Sequence, residues 1–509
     1  MTGMVPPIEW GRPEHELEEV LPAPRTAVGP AALSRLQATG AQVRTDAEAA
    51  ATASRDWWPL AQRWALRGRA PARPAVVVRP NDVAQLAAVL ALADEEAIPV
   101  TVAGGRSGVC GGAVPLFGGI ALDCLALAGL QEVDEASLLV TAGAGTFGPD
   151  LEASLQDGYG LSVGHLPQSI DISTVGGWLA CRGAGQYSTR YGKIEDLVAG
   201  LEVVLADGRV VRTGAMAGAG PRSAAGPDLT QLFVGSEGTL GVITAARLRA
   251  HPLPVGELRR AWSFPSFAAG IEALRLTLRA GATPAVVRLY DRAESARTLK
   301  VEHANVLVAL DEGEPALVEA TMGVLGAACA EAGAGTLPES LVGTWLEHRN
   351  DVSALAALTR AGIVVDTVEV AAPWSQLPAL YEDALAGLSS VEGCLSASAH
   401  ESHAYPDGAC LYFTFAGRGA VPDDDGWASA YYAASWDAVM GAARRHGASI
   451  SHHHGIGLVR GPYLEDALGE GFGVLRRLKE ALDPRGILNP GKLGLASPFG
   501  AAPAIGRMP

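Results

Sequence analysis

The sequence predicts an α+β fold with a two-lobed, glycine-rich first domain, a second α+β domain, and a final segment that returns to the first. Three observations along the 509 residues carry this expectation. A strand, helix, strand, glycine-loop order begins at residue 75. Four segments dense in Gly, Ser and Thr lie between residues 103 and 243. After Pro252 strands and helices alternate again, until a Gly- and Pro-rich stretch occupies residues 451–493.

Residues 1–72 read as an N-terminal arm, irregularly helical over residues 31–67. Residues 75–79 form an apolar strand that Pro80 ends, and Asn81 or Asp82 caps a helix carrying Val83, Leu86, Val89 and Leu90. Residues 98–102 form the next strand and run into the glycine loop 104–112. Those glycines do not match G-x-G-x-x-G opening a helix after a strand, which excludes the Rossmann fingerprint, and a GxxxxGK[ST] phosphate loop is absent. Further strands are expected around Ala121 and at 138–142, 201–205 and 210–213, with Ala206-Asp-Gly-Arg209 as a tight turn. The first domain therefore covers residues 73–252. A second domain spans 253–445, with a helix at 317–332, and residues 446–509 pack back onto the first. No repeat of fixed period is visible.

A formal charge of -16 argues against a broad nucleic-acid surface, so an anionic ligand must be held by a few placed arginines. No apolar run is long enough to span a bilayer. Residues 1–10 lack the basic and apolar regions of a secretory signal, which makes the cytoplasm the expected compartment. The six cysteines, Cys110, Cys124, Cys181, Cys329, Cys394 and Cys410, have no CxxC spacing and read as reduced thiols.

The four small-residue segments expose backbone N–H groups and hydroxyls, a surface suited to phosphates. Any one alone is more often a turn than a site. In residues 409–416, alternation puts Leu411, Phe413 and Phe415 on one face of a strand and Tyr412 and Thr414 on the other, so Tyr412 either faces a cavity or packs half-buried. Ser451-His-His-His-Gly-Ile-Gly457 follows. In an extended segment His452 and His454 would share one side and His453 the other. A metal would need a third ligand from His400 or His403 and lacks a carboxylate-rich partner motif, so no metal is expected. Clustered imidazoles are natural proton carriers.

Taken together, Gly164-His-Leu-Pro-Gln-Ser-Ile-Asp-Ile-Ser-Thr-Val-Gly-Gly-Trp178, Tyr191-Gly-Lys-Ile-Glu-Asp-Leu-Val198 and Gly235-Ser-Glu-Gly-Thr-Leu-Gly-Val-Ile243 resemble alkyldihydroxyacetonephosphate synthase. That family is a branch of the vanillyl-alcohol oxidase/p-cresol methylhydroxylase FAD-binding superfamily, and the likeness runs over residues 75–493. It implies a two-lobed PCMH-type FAD-binding domain with an α+β cap domain for substrate, and non-covalent FAD. By the same likeness the pyrophosphate rests on Ala103, Gly104, Gly105, Arg106 and Ser107. Further FAD contacts fall on Gln168, Ser169, Ile170, Asp171, Ile172, Ser173, Thr174, Gly176 and Gly177. The last two sets are Cys181, Arg182, Gly183 and Ala184, then Glu237, Gly238, Thr239, Leu240, Gly241, Val242 and Ile243. Tyr412 matches the family's acid/base tyrosine, and His452, His453 and His454 its catalytic run. Arg288 matches an arginine near the flavin, and Arg360 one that anchors substrate phosphate.

The activity so implied exchanges the acyl group of acyl-dihydroxyacetone phosphate for a fatty alcohol by way of a flavin N5 bond to the substrate carbon, with no net redox change. Partners are the lipid-phosphate and fatty alcohol substrates, with peripheral membrane contact and a homodimer expected and no nucleic acid. The alternative is an FAD-dependent dehydrogenase or oxidase of a hydroxy acid or polyol, since a fold hosts many chemistries. Against it stands the histidine triplet with Tyr412 in place of the metal-binding motifs expected of 2-hydroxy-acid dehydrogenases. Ala416-Gly-Arg-Gly419 departs from the Asn-Tyr-Arg-Gly pattern of the animal enzymes and suggests a bacterial-type relative with a different acyl-chain site.

Overall fold

The computed structural model describes residues 9–505 apart from 352, 422 and 423, so most of the first ten residues, read above for a signal, lie outside the described residues. The first lobe is built on β1 (Gln42–Arg44), β2 (Val76–Arg79), β3 (Val100–Ala103) and β4 (Ile120–Asp123), in the order β1-β2-β4-β3. The pairs among β2, β4 and β3 are parallel, and β1 joins the edge antiparallel. Parallel strands are covered on both faces, which is why Val76, Val78, Val100, Ile120 and Leu122 are all buried and read as apolar runs. Asp82 accepts the Gln85 amide at 2.8 Å and starts the helix Val83–Glu95, as expected of a cap.

The arm is less helical than its composition suggests. Between helices Pro30–Ala38 and Pro59–Ala65 lies β1, whose Gln-Val-Arg is too short to show a period. The arm also binds the second domain, because fully buried Trp58 donates its indole N–H to the Tyr432 hydroxyl at 2.9 Å.

The second lobe contains β5 (Leu130–Asp134), β6 (Leu139–Gly143), β7 (Val198–Val204), β8 (Val210–Arg212) and β9 (Val242–Arg249), ordered β8-β7-β9-β6-β5 and antiparallel throughout. The expected turn joins β7 to β8: the Leu205 amide donates to the Arg209 carbonyl at 2.9 Å, and Gly208 takes a φ of 82°.

The second domain is a seven-stranded antiparallel sheet. Its strands are β10 (Gly256–Phe264), β11 (Val286–Tyr290), β12 (Asn305–Gly313), β13 (Gly335–Leu337), β14 (Val364–Pro373), β15 (Cys394–Ala404) and β16 (Gly408–Gly417). Their order is β13-β10-β12-β11-β15-β16-β14. Helices Phe267–Arg279, Leu377–Ser390 and Asp425–Arg445 pack on one face, where Leu411, Phe413 and Phe415 are fully buried. The alternation read from residues 409–416 therefore points Tyr412 and Thr414 away from that core. The helix expected at 317–332 is Pro315–Glu331.

The chain then returns to the first lobe. The Val100 amide donates to the Ile487 carbonyl at 2.8 Å, the Asn489 amide donates to Val100 at 2.7 Å, and the Asn489 side chain donates to the carbonyls of Gly112 and Glu237. No described helix is long and apolar enough to cross a membrane.

Candidate active site

A cavity of about 670 Å³ lies where the two lobes meet the free face of the seven-stranded sheet. Residues Ala103 to Ser107 line it at the end of β3. Gln168, Ser169, Ile172, Ser173, Thr174, Gly176 and Gly177 line it from the loop and first turn of helix Val175–Cys181. Cys181, Gly183 and Ala184 follow, then Glu237, Gly238, Gly241, Val242 and Ile243. The fold thus gathers most positions of the four segments into one space. Ile170, Asp171 and Thr239 are not on its wall, and Arg182 and Leu240 face a second cavity of about 660 Å³ instead.

These walls fit a dinucleotide. Gly105 approaches so closely that an added Cβ would lie 2.2 Å from the Ile172 carbonyl oxygen, and one on Gly104 would meet Thr174 Oγ1 at 2.3 Å. The buried polar atoms on these walls without a hydrogen-bond partner among the described residues include Arg106 Nη1 and both ring nitrogens of His165. His165 is fully buried against Trp178, and burial lowers its pKa to about 3, so it is a neutral ring with hydrogen-bonding capacity facing the cavity. It stands inside the quoted Gly164 to Trp178 segment, yet a lone histidine there gave no periodic signal. Gly105→Ala should force backbone movement costing about 1 to 3 kcal/mol. Flavin content after desalting should fall with it; undiminished content would show that the close approach is not needed.

On the sheet face, one cross-strand row crosses four strands. Tyr290 pairs with His400, His400 with Tyr412, and Tyr412 with Glu369. Period-2 alternation puts all four on the cavity side. The His400 ring stacks on Tyr412 at 4.5 Å, and Arg288 Nη2 lies 2.7 Å from His400 Nε2. Tyr412 Oη lies 2.5 Å from His453 Nε2 and 3.4 Å from His403 Nε2. His403 reaches the cavity from an irregularity in the β15–β16 register, where its φ is 56°.

The triplet does not alternate as an extended segment would. Glu369, fully buried, collects three successive amides: His452 at 2.5 Å, His453 at 3.4 Å and His454 at 2.8 Å. The Ser451 hydroxyl donates to the same carboxylate at 3.1 Å, and the fully buried Arg460 guanidinium lies 3.1 Å from it. A chain that wraps an anion in consecutive N–H groups is bent. As a result His453 and His454 both line the cavity, while His452 sits behind, its Nδ1 2.9 Å from His453 Nδ1. Lys193 supports this hairpin, donating to the His452 carbonyl at 2.6 Å.

The electrostatics follow from burial. Desolvation lowers His453 well below its ordinary pKa, with the neighbouring His454, His403 and His452 acting in the same direction. Desolvation lowers His400 and His454 to about 4. These imidazoles are neutral at neutral pH and can accept protons. Burial raises the Tyr412 hydroxyl well above its usual range, partly opposed by Arg288. Burial also pushes Glu369 upward, but Arg460, His454 and the triplet amides outweigh it and hold the carboxylate ionised, at about 2. Cys410, His452 and His453 present ligand atoms within 4.8 Å of one another, a grouping their spacing in sequence concealed.

Arg360 is not brought to this site. It ends helix Ser353–Arg360 with its guanidinium outward, 2.5 Å from Glu9, and both side chains are exposed. The expectation of a phosphate anchor there is corrected by geometry: the arginines that line the cavity are Arg106, Arg288 and Arg297.

Known proteins share this architecture. Residues 74–214 match the family described as FAD binding domain, and residues 259–493 match FAD linked oxidases, C-terminal domain. The chain is 29% identical to alkyldihydroxyacetonephosphate synthase of Trypanosoma brucei brucei, covering 90% of this chain and 79% of that protein. It is also 29% identical to glycolate oxidase subunit GlcD of Bacillus subtilis, over 82% and 89% of the two chains. A solved alkyldihydroxyacetonephosphate synthase superposes with a TM-score of 0.76 at 24% identity, covering 96% of this chain and 90% of that one. p-Cresol methylhydroxylase with substrate bound superposes at 0.74 and 16% identity, covering 93% and 99%. The cavity, its small-residue walls and both family matches agree: the chain is an FAD-linked enzyme built of an FAD binding domain and an FAD linked oxidase C-terminal domain, and it is similar to alkyldihydroxyacetonephosphate synthase.

Proposed function

We propose that the protein exchanges the acyl group of acyl-dihydroxyacetone phosphate for a fatty alcohol, with no net redox change. The observation that carries this reading is the hydroxyl–imidazole pair of Tyr412 and His453 at 2.5 Å, set among neutral histidines on the cavity face. Bound non-covalently along the four segments, FAD supplies an electrophilic ring to which the reacting substrate carbon is presented. The protein's own part is proton handling. His453 Nε2 accepts the Tyr412 hydroxyl proton as that oxygen takes one from the substrate carbon, and His453 Nδ1–H is then oriented by donation to His452 Nδ1. The same pair passes that proton to the departing fatty acid, then takes the proton of the incoming alcohol and returns it to the substrate carbon, so that protons balance over the cycle. Arg288, half-buried over the Tyr412 ring and beside His400, favours the negative charge that develops there.

Oxidation of a hydroxy acid is the second reading, supported by the equal identity to glycolate oxidase subunit GlcD. Incubating the flavin-loaded protein with acyl-dihydroxyacetone phosphate and a long-chain alcohol separates the two by mass spectrometry. The exchange reading expects alkyl-dihydroxyacetone phosphate and free fatty acid in equal amounts. Absence of ether product, with hydroxy acid oxidised to keto acid, would replace it. With the exchange reading go a cytoplasmic homodimer and peripheral contact with the membrane that supplies its lipids, testable by sedimentation alone and with vesicles.

A further inference from the structure

The cavity is open to a second arginine that the family likeness did not single out. Arg297 lies in the π-helical turn Ser295–Leu299 that follows β11, lines the same cavity as Tyr412, and keeps 47% of its side chain exposed. Its Nη2 lies 3.3 Å from Glu294 Oε1, and that carboxylate oxygen also lies 3.0 Å from His400 Nδ1. Glu294 is buried, whereas the Arg297 side chain that pairs with it is half exposed on the cavity wall. The connection runs Arg297, Glu294, His400, and His400 stacks on Tyr412, which sets this cation two side chains from the Tyr412–His453 pair. Arg288 sits deeper and spends its Nη2 on His400. Arg360 faces away and pairs with Glu9.

We propose that Arg297 binds the anionic head group of the substrate, a phosphate or a carboxylate. A planar fork that pairs with one buried carboxylate keeps further donors for an anion. The proposal rests on the reading above only in placing the reacting carbon at Tyr412. A phosphate suits exchange and a carboxylate suits hydroxy-acid oxidation.

Calorimetric titration of the flavin-loaded protein tests it, with dihydroxyacetone phosphate, glycolate and neutral dihydroxyacetone as probes. R297Q should weaken an anion that the unsubstituted protein binds by at least about tenfold, the scale of a lost charged hydrogen bond, and leave dihydroxyacetone within about twofold. R297K should recover part of the affinity because it restores charge without the fork. Loss confined to dihydroxyacetone phosphate identifies a phosphate ligand, loss confined to glycolate a carboxylate ligand, and either supports the assignment. Neither anion binding to the unsubstituted protein, equal loss for the neutral probe, or loss in R360Q with none in R297Q would overturn it. Because the readout is binding, Arg297 can stand when product analysis rejects exchange, and fall when product analysis supports it.

Discussion

Glu369→Gln is expected to lower stability by about 3 to 5 kcal/mol, because the fully buried Arg460 then keeps its charge without a counter-ion. Denaturant unfolding measures this. Turnover should fall as well, for a reason separate from stability. One amide oxygen cannot hold the three amides of the triplet hairpin, so His453 Nε2 drifts from the Tyr412 hydroxyl. Pairing Glu369→Leu with Arg460→Met distinguishes the two effects. Removing both charges should restore much of the stability, since well-packed apolar replacements of buried ion pairs are often neutral. It should not restore turnover. If activity returns with stability, Glu369 is merely structural. Linkage gives a further sign. The folded-state pKa of Glu369 lies below the ordinary 4.5, so its stabilisation is complete above that value and is lost as pH falls toward about 2. The substituted protein should therefore show a weaker loss of stability over that acid window.

Tyr412→Phe should reduce turnover by about 10² to 10⁴, the range typical of a lost general acid or base. The ring still stacks on His400, so flavin content and thermal unfolding should change little. His453→Ala should behave alike, and the double substitution should cost scarcely more than either single one, because the two act as one proton-transfer unit. Additive losses in the double variant would assign them separate tasks. A full rate in Tyr412→Phe would remove its hydroxyl from the chemistry.

Much of this was legible before folding, where local rules decide. Period-2 alternation is enforced by a covered sheet face, so Leu411, Phe413 and Phe415 pointed inward and Tyr412 outward as read. The Asp82 cap and the turn at Gly208 depend on residues within a few positions. The small-residue segments were recognisable because a close backbone approach permits little else.

Where the reading failed, the deciding partner was distant in sequence. The triplet was expected to alternate, yet its conformation is imposed by Glu369, 83 positions before His452. An acidic residue within β14 was itself the available signal, since a charge in a covered strand requires a partner. Arg360 was assigned from a short match, and its actual partner, Glu9, lies 351 positions away in the arm. β1 was hidden because three residues with one apolar side chain carry no pattern, and its edge pairing with β2 could not be foreseen.

The central claim is that the Tyr412–His453 pair moves protons at the flavin without net electron transfer. Anaerobic titration of the purified, flavin-loaded protein tests it directly by following flavin absorbance on addition of 2-hydroxy acids and then of acyl-dihydroxyacetone phosphate with a fatty alcohol. The account predicts that hydroxy acids leave the flavin oxidised, and that the flavin is again fully oxidised once the lipid substrate is consumed. Rapid and complete reduction by a hydroxy acid, reversed only by an added electron acceptor, would contradict it.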